Sequence, residues 1–196
     1  MSPGKSTLKE KALKAKEWLK DYLSAIREGK LHPFTYVERK TRQATRDEPW
    51  GPTGAQLNEL AALTHHEEHA HVIFAVLEFR LMSHGERWRS VYKALQVLEF
   101  LAKRGSPRCP AMAARLLPLL HCLTNFAYVS RDGKDCGVNV RIRAGAVAGL
   151  LEDGEELVAQ RDALAARAAA FFSDWVARSP AREGGGDGVE GEVITA

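Results

Sequence analysis

The stretch His84–Ser106, HGERWRSVYKALQVLEFLAKRGS, decides how the rest of the chain is read. Gly85 and Gly105 bracket it, which marks both ends of one long helix. In its first half Trp88, Val91, Tyr92 and Leu95 recur at helical spacing, while Arg89, Lys93 and Gln96 fall together on another side. In its second half, Ala94 to Ala102, apolar residues occupy nearly every side, so other helices have to wrap this one. The helix is buried at one end and presents a basic stripe at the other.

Upstream, residues 5–28 read as an amphipathic helix with the stripe Leu8, Ala12, Ala15, Leu19, Tyr22 and Ile26. From Lys5 to Lys30 there are eight Lys or Arg against four acids, a net +4. Such a helix either docks its stripe on the protein body or lies on an anionic bilayer with Trp18 and Tyr22 at headgroup depth. Gly29 to Pro33 break it. A short helix follows with Phe34, Val37, Thr41 and Ala44 on one side and Arg39, Arg42 and Arg46 on the other. Pro49 in EPWGP ends that run. Pro52 then suits the first turn of a helix buried through Leu57, Leu60, Ala61 and Thr64. The run His65-His66-Glu67-Glu68-His69-Ala70-His71 lacks the H-E-x-x-H spacing of a zinc helix and reads as a polar corner between helices. Between Val72 and Met82 only Glu78 and Arg80 are polar, so Arg80 is ion-paired or aimed at something.

Downstream, Pro110 and Pro118 punctuate a helical pair, Ala111–Leu117 and Leu119–Phe126. Within it Leu116-Leu117-Pro118-Leu119-Leu120 resembles a clathrin-box peptide, but it lacks the acidic end and reads as core. Tyr128–Val140 is a polar loop with its turn at Asp132-Gly133, and Asp135 or Asn139 is placed to cap the helix through Val147, Leu150 and Leu151. Leu157, Leu164, Ala168, Phe171 and Trp175 form a heptad-spaced stripe on a last helix that stops before Pro180. Residues 181–196 are Gly-rich, acidic and poor in apolar residues, the composition of a disordered tail. No period-2 stretch competes, and the chain is all-α.

The net charge of +3 hides an asymmetry: residues 183–196 carry −4, so residues 1–182 carry +7. Three scattered cysteines, with no C-x-x-C pair, argue against a disulfide framework or structural zinc and fit a reducing compartment. No signal peptide and no run near the ~18 apolar residues of a membrane span is present. Gly4-Lys5-Ser6 has no P-loop around it, and nothing singles out a nucleophile, so neither a metal site nor a catalytic residue is expected. What stands out is positive charge on helices, Arg39, Arg42 and Arg46, then Arg80, then Arg89 and Lys93, which suits phosphate groups or is a solvated face.

Three blocks, TRQATRDEPWGPTG, HGERWRSVYKALQVLEFLAKRGS and FAYVSRDGKDCGVNVR, resemble the signature blocks of the epsin N-terminal homology (ENTH) domain in order and spacing. The resemblance runs from Phe34 to about Ala166. It implies a right-handed α-helical superhelix of about eight helices, here with an extra N-terminal amphipathic helix. It also implies an epsin-type peripheral membrane adaptor that binds phosphoinositides and acts in clathrin-coated vesicle formation, in endocytosis or Golgi and endosomal trafficking. The alternative is an ENTH-fold protein-interaction module, for instance for SNARE cargo, with weak or lost lipid binding. Neither an enzyme, a cofactor nor a nucleic-acid partner is implied. The partners expected are a phosphoinositide-containing membrane and clathrin, adaptor machinery or SNARE cargo. The protein is expected to be a cytoplasmic monomer, peripheral on the plasma membrane, Golgi or endosomal membranes and coated vesicles.

The resemblance carries the headgroup site onto Arg42, Arg80 and Lys93, with Arg46 and Arg89 as supplements. The sequence departs from the family at Asp47, where an asparagine is expected, at Ser90 for a histidine, and at Glu86 for a basic residue. The basic positions of the family's membrane-inserting segment fall on Ser24 and Glu28. Residues 181–196 contain no N-P-F or D-P-W peptide, which predicts no useful direct affinity for clathrin or adaptor appendages. The expected organisation is a basic helix and linker over residues 1–33, an ENTH domain over 34–178 and an acidic tail over 179–196.

Overall fold

The computed structural model describes residues 34–178, together with Leu23 and Ile26, both of which are helical. The rest of the helix expected over 5–28, and the expected tail over 179–196, lie outside the described residues. Eight α-helices make up the described chain. They are α1 (Tyr36–Ala44), α2 (Gly54–Leu63), α3 (Glu67–Leu81), α4 (Trp88–Arg104), α5 (Cys109–Ala114), α6 (Leu117–Leu123), α7 (Gly137–Glu152) and α8 (Gly154–Arg178). Among the described residues the extended pairing is a single bridge between Val129 and Asp135.

Two helices start on reciprocal side-chain and backbone bonds that the Thr-x-x-Glu/Gln spacing makes possible. The Thr35 N–H donates to Glu38 Oε2 at 2.8 Å while the Glu38 N–H donates to Thr35 Oγ1. Thr53 and Gln56 repeat the arrangement at α2, so Pro52 precedes that helix rather than opening it.

Helix α4 packs against α2, α3, α5, α7 and α8, and it is the axis of the fold. Val91, Ala94, Leu95, Val97, Leu98, Leu101 and Ala102 are all fully buried on it. Each buried leucine there stabilises by about 1.5–3 kcal/mol, so truncation along this helix is costly. The helix is shorter than its bracketing glycines imply. Gly85, at φ +61°, turns the chain into a 3-10 turn over Gly85–Arg87, and the α-helix begins at Trp88.

The far end of α4 is tied down from elsewhere. Arg161 on α8 donates to the carbonyls of Ala102 (2.5 Å) and Gly105 (2.8 Å), and the Ser106 N–H donates to Thr64 Oγ1. The two Arg161 bonds satisfy carbonyls that a helix end otherwise leaves bare. A Cβ on Gly105 would stand 2.6 Å from both Leu101 O and Cys109 Sγ, so the close approach requires glycine.

The proline-marked pair is shorter than its pattern, Cys109–Ala114 and Leu117–Leu123, with each proline in the first turn. Leu116 and Leu120 are buried and Leu117 and Leu119 half-buried, so this segment is core. The loop ahead of α7 ends at Cys136, earlier than expected. Asp135 accepts from the Gly137 N–H and pairs with Arg141 at 2.7 Å, and Arg141 also donates to Phe126 O. Gly133 supplies the turn with φ +76°. Helix α8 buries Leu157, but its stripe emerges from the body beyond Leu164, and Phe171 is 74% exposed.

Candidate functional site

The cationic residues gather where the end of α1, the end of α3 and the start of α4 meet. Arg42, in the last turn of α1, is only 7% exposed, with its guanidinium 3.7 Å from the Phe34 ring centre and 5.6 Å from that of Phe79. An arginine over aromatic faces keeps its charge while losing water, because the ring quadrupole replaces part of the hydration. Arg80 closes α3, half-buried, and its Nε donates to Thr45 Oγ1 at 3.3 Å. Thr45 in turn donates to Thr41 O, so the hydroxyl is oriented before it meets the arginine.

Lys93 is 5% exposed, and its Nζ donates to the carbonyl of Arg46 at 2.5 Å. This overturns the reading of Lys93 as part of an exposed stripe. Burial pushes its pKa down, Glu48 and Asp47 nearby partly restore it, and Arg89 one turn back lowers it further. Arg46 and Arg89 are half-buried, and Arg89 lies over the Trp88 ring at 4.7 Å. Lys93 thus reaches the backbone of Arg46, Arg80 reaches Thr45 beside it, and Arg42 lies against Phe34 and Phe79. Arg39 is exposed on α1.

Two layers result. Arg42 and Lys93 are buried, whereas Arg46, Arg80 and Arg89 are half-buried and partly open to solvent. Beside it an open depression of about 490 Å³ is lined by Phe79, Met82, Ser83, His84, Gly85, Glu86 and Arg87. Thr45, Phe34, Phe79 and Glu48 are the parts of this arrangement that pattern reading passed over. Phe34 falls on the apolar side of α1 by spacing, but only the packing shows that it and Thr45 each meet an arginine. The histidine corner sits apart, at the turn from α2 into α3, with His66 edge-on to His69 and Arg108 paired to Glu67 at 3.2 Å. Among the described residues no group of three or more His, Cys, Asp or Glu is placed to hold a metal ion.

Fold and cluster together define a class, the right-handed α-helical superhelix with cations gathered at one end. Within that class the chain belongs to the ENTH domain family, which matches residues 34–157. It is 39% identical over 131 residues to epsin-1 of Homo sapiens, a match covering 67% of this chain and 23% of epsin-1. The chain thus spans about a quarter of the length of that relative. The human epsinR ENTH domain superposes with a TM-score of 0.64 at 33% identity, over 66% of this chain and 96% of that one. The ENTH domain from epsin-2, in complex with phosphatidylinositol 4,5-bisphosphate, superposes with a TM-score of 0.65 at 27% identity, over 69% and 95%.

Proposed function

We propose that this chain is a peripheral membrane adaptor of the epsin type that holds a phosphoinositide headgroup at the α1–α3–α4 junction. The observation that carries the proposal is the bond from Lys93 to the Arg46 carbonyl, which ties the start of α4 to the basic segment just after α1. Arg46, Arg80 and Arg89 at the rim meet the phosphate oxygens, because the guanidinium fork matches phosphate geometry. Arg42 and Lys93 supply positive potential from beneath. The relative solved with phosphatidylinositol 4,5-bisphosphate supports this choice of ligand. Asp47 and Glu48 beside Lys93 reduce the field, which favours a headgroup of lower charge than a bisphosphate. The function is binding, with no reaction assigned to any residue.

Among the described residues no helix is long and apolar enough to cross a membrane, and the proposed attachment is peripheral. A role in coated-vesicle formation follows from the epsin relationship and is part of the proposal. Direct contact with clathrin through Leu116–Leu120 is not, since Leu116 and Leu120 are core residues. The test is sedimentation with liposomes that differ only in phosphoinositide headgroup, at matched total charge. Arg46→Glu together with Arg89→Glu is expected to weaken binding at least tenfold, since one charge-assisted contact is worth roughly 1.5–3 kcal/mol. Equal binding to phosphoinositide and phosphatidylserine vesicles would remove the proposal.

A further inference from the structure

Trp50 stands where the chain leaves the cation cluster. Past the end of α1 the chain reaches Arg46, whose carbonyl takes the Lys93 bond, and then bends through residues 47–50. It comes back to α4 at Gly51, where a Cβ would stand 3.9 Å from Gln96 Oε1. Lys93 and Gln96 are three residues apart on α4, less than one helical turn, so Asp47 to Trp50 form an arch beside the cluster. Pro49 and Pro52 frame Trp50 in sequence and each fixes one backbone angle, while Pro52 also restricts Gly51 before it. An arch set in this way presents its side chain with little ordering left to do on binding.

The side chain so presented is 65% exposed. One exposed leucine or valine is ordinary surface, but tryptophan is highly buried on average, so an indole held out on a proline-framed arch is not. Trp88 nearby shows the contrast, half-buried with Arg89 over its ring. Indole joins a large apolar body to a single N–H donor. That combination collects at the boundary between lipid headgroups and acyl chains, where one end is dry and the other wet.

Charge on the same arch favours a lipid surface that is held by more than charge. Asp47 and Glu48 act on Lys93 and oppose the anionic surface that Arg46, Arg80 and Arg89 attract. Attachment through cations alone is weakened there, and salt screens it further. An apolar contact suffers neither loss. Trp50 follows Arg46 by four residues, so the indole and the cations reach one surface together.

We propose that Trp50 seats its indole at the headgroup–acyl boundary of the membrane whose phosphoinositide the cations hold, and so serves as a second, apolar anchor. This inference rests on the headgroup reading. It adds a contact with the bilayer itself, which a headgroup free in solution does not offer.

The experiment compares the full chain with its Trp50→Ala and Trp50→Phe variants on two probes. One is phosphatidylcholine vesicles carrying phosphatidylinositol 4-phosphate or 4,5-bisphosphate, whichever the parent binds more tightly. The other is the soluble inositol phosphate of the same headgroup. Trp50→Ala is expected to weaken vesicle binding about tenfold, the effect of leaving one large apolar side chain out of the bilayer. Affinity for the soluble headgroup stays unchanged, Trp50→Phe recovers most of the loss, and the ratio of parent to Trp50→Ala persists as salt is raised. Quenching by brominated acyl chains, measured in a Trp18→Phe background, is expected to fall when Trp50→Phe is added, and this reading holds even if the alanine variant melts early. Equal vesicle binding by parent and Trp50→Ala, or quenching undiminished in Trp50→Phe, overturns the inference and leaves the headgroup reading standing. An equal loss on the soluble headgroup also overturns it, since Trp50 then shapes the site instead of meeting lipid. A parent that binds the vesicles but not the soluble headgroup fails the headgroup reading instead, and the vesicle and quenching results still judge Trp50.

Discussion

Replacing Lys93 with glutamate separates the two roles that its position combines. Reading the residue as exposed predicts lost phosphate binding and an intact fold. The structure predicts instead that Lys93→Glu is a folding lesion. At 5% exposure the new carboxylate faces the Arg46 carbonyl, which it cannot pair with, and has Glu48 and Asp47 as charged neighbours. Losing the charge-assisted bond costs about 1.5–3 kcal/mol, and stranding a buried charge brings the total to roughly 3–5 kcal/mol. For a chain of this size 1 kcal/mol shifts the midpoint by about 2–4 °C, so a drop of roughly 10 °C is expected. Lys93→Met keeps the aliphatic stem and loses the same bond but also removes the desolvated charge, so its cost stays at or below about 1.5–3 kcal/mol. Thermal melts followed by circular dichroism compare the two. A Lys93→Glu protein that melts within about 1 °C of the parent would refute the burial argument. Because of this lesion, the liposome test is better made at Arg46 and Arg89.

Asp47→Asn is expected to raise affinity for phosphoinositide vesicles about two- to fivefold, the effect of removing one partly screened repulsive charge; no gain in sedimentation places Asp47 outside the headgroup's field. Arg161→Ala strips two carbonyls at the end of α4 of their donors and is expected to cost roughly 2–4 kcal/mol in urea unfolding, whereas a loss below about 0.5 kcal/mol would show water replacing it fully. The Arg141 guanidinium, and then the Gly137 and Val138 N–H groups, hold the Asp135 carboxyl below the usual carboxylate range. Since its folded pKa is depressed, that contribution is complete above the ordinary carboxylate value and is lost as pH falls through the folded one. Amide exchange around residues 126–141 is therefore expected to speed up in acid, and Asp135→Asn to remove that step; an acid response unchanged in the variant would rule Asp135 out as its source.

Most of the fold was legible because its strongest signals are local. The all-round apolar run Ala94–Ala102 demanded encircling helices, and α4 has them on every side. The Gly133 turn was visible as a residue type, and so was Asp135 as a partner for the start of α7, although the N-cap position itself falls to Cys136. The family blocks likewise led to the ENTH assignment. Burial of single charged residues was not legible. Lys93 follows Arg89 at one helical turn and so shares its polar side by spacing, yet the segment just after α1 offers it the carbonyl of Arg46. Arg42 reads as the outer side of α1 but is enclosed by Phe34 and Phe79, both distant from it in pattern. Arg161 looks like any surface arginine of a long helix, and its partners lie 59 and 56 residues away. The stripe on α8 was legible as spacing, but spacing alone does not say that Leu157 is buried and Phe171 exposed.

The positions of Lys93 and Arg161 along the chain also set an order of events during synthesis. Every member of the cation cluster precedes Arg104, so the junction of α1, α3 and α4 can form while roughly the second half of the protein is still being made. At that stage the carbonyls of Ala102 and Gly105 have no donor, because Arg161 has not yet left the ribosome. A nascent chain therefore acquires its anion-facing end before its central helix is sealed. Stalling ahead of α8 is expected to leave a species with the cluster assembled and the far end of α4 frayed.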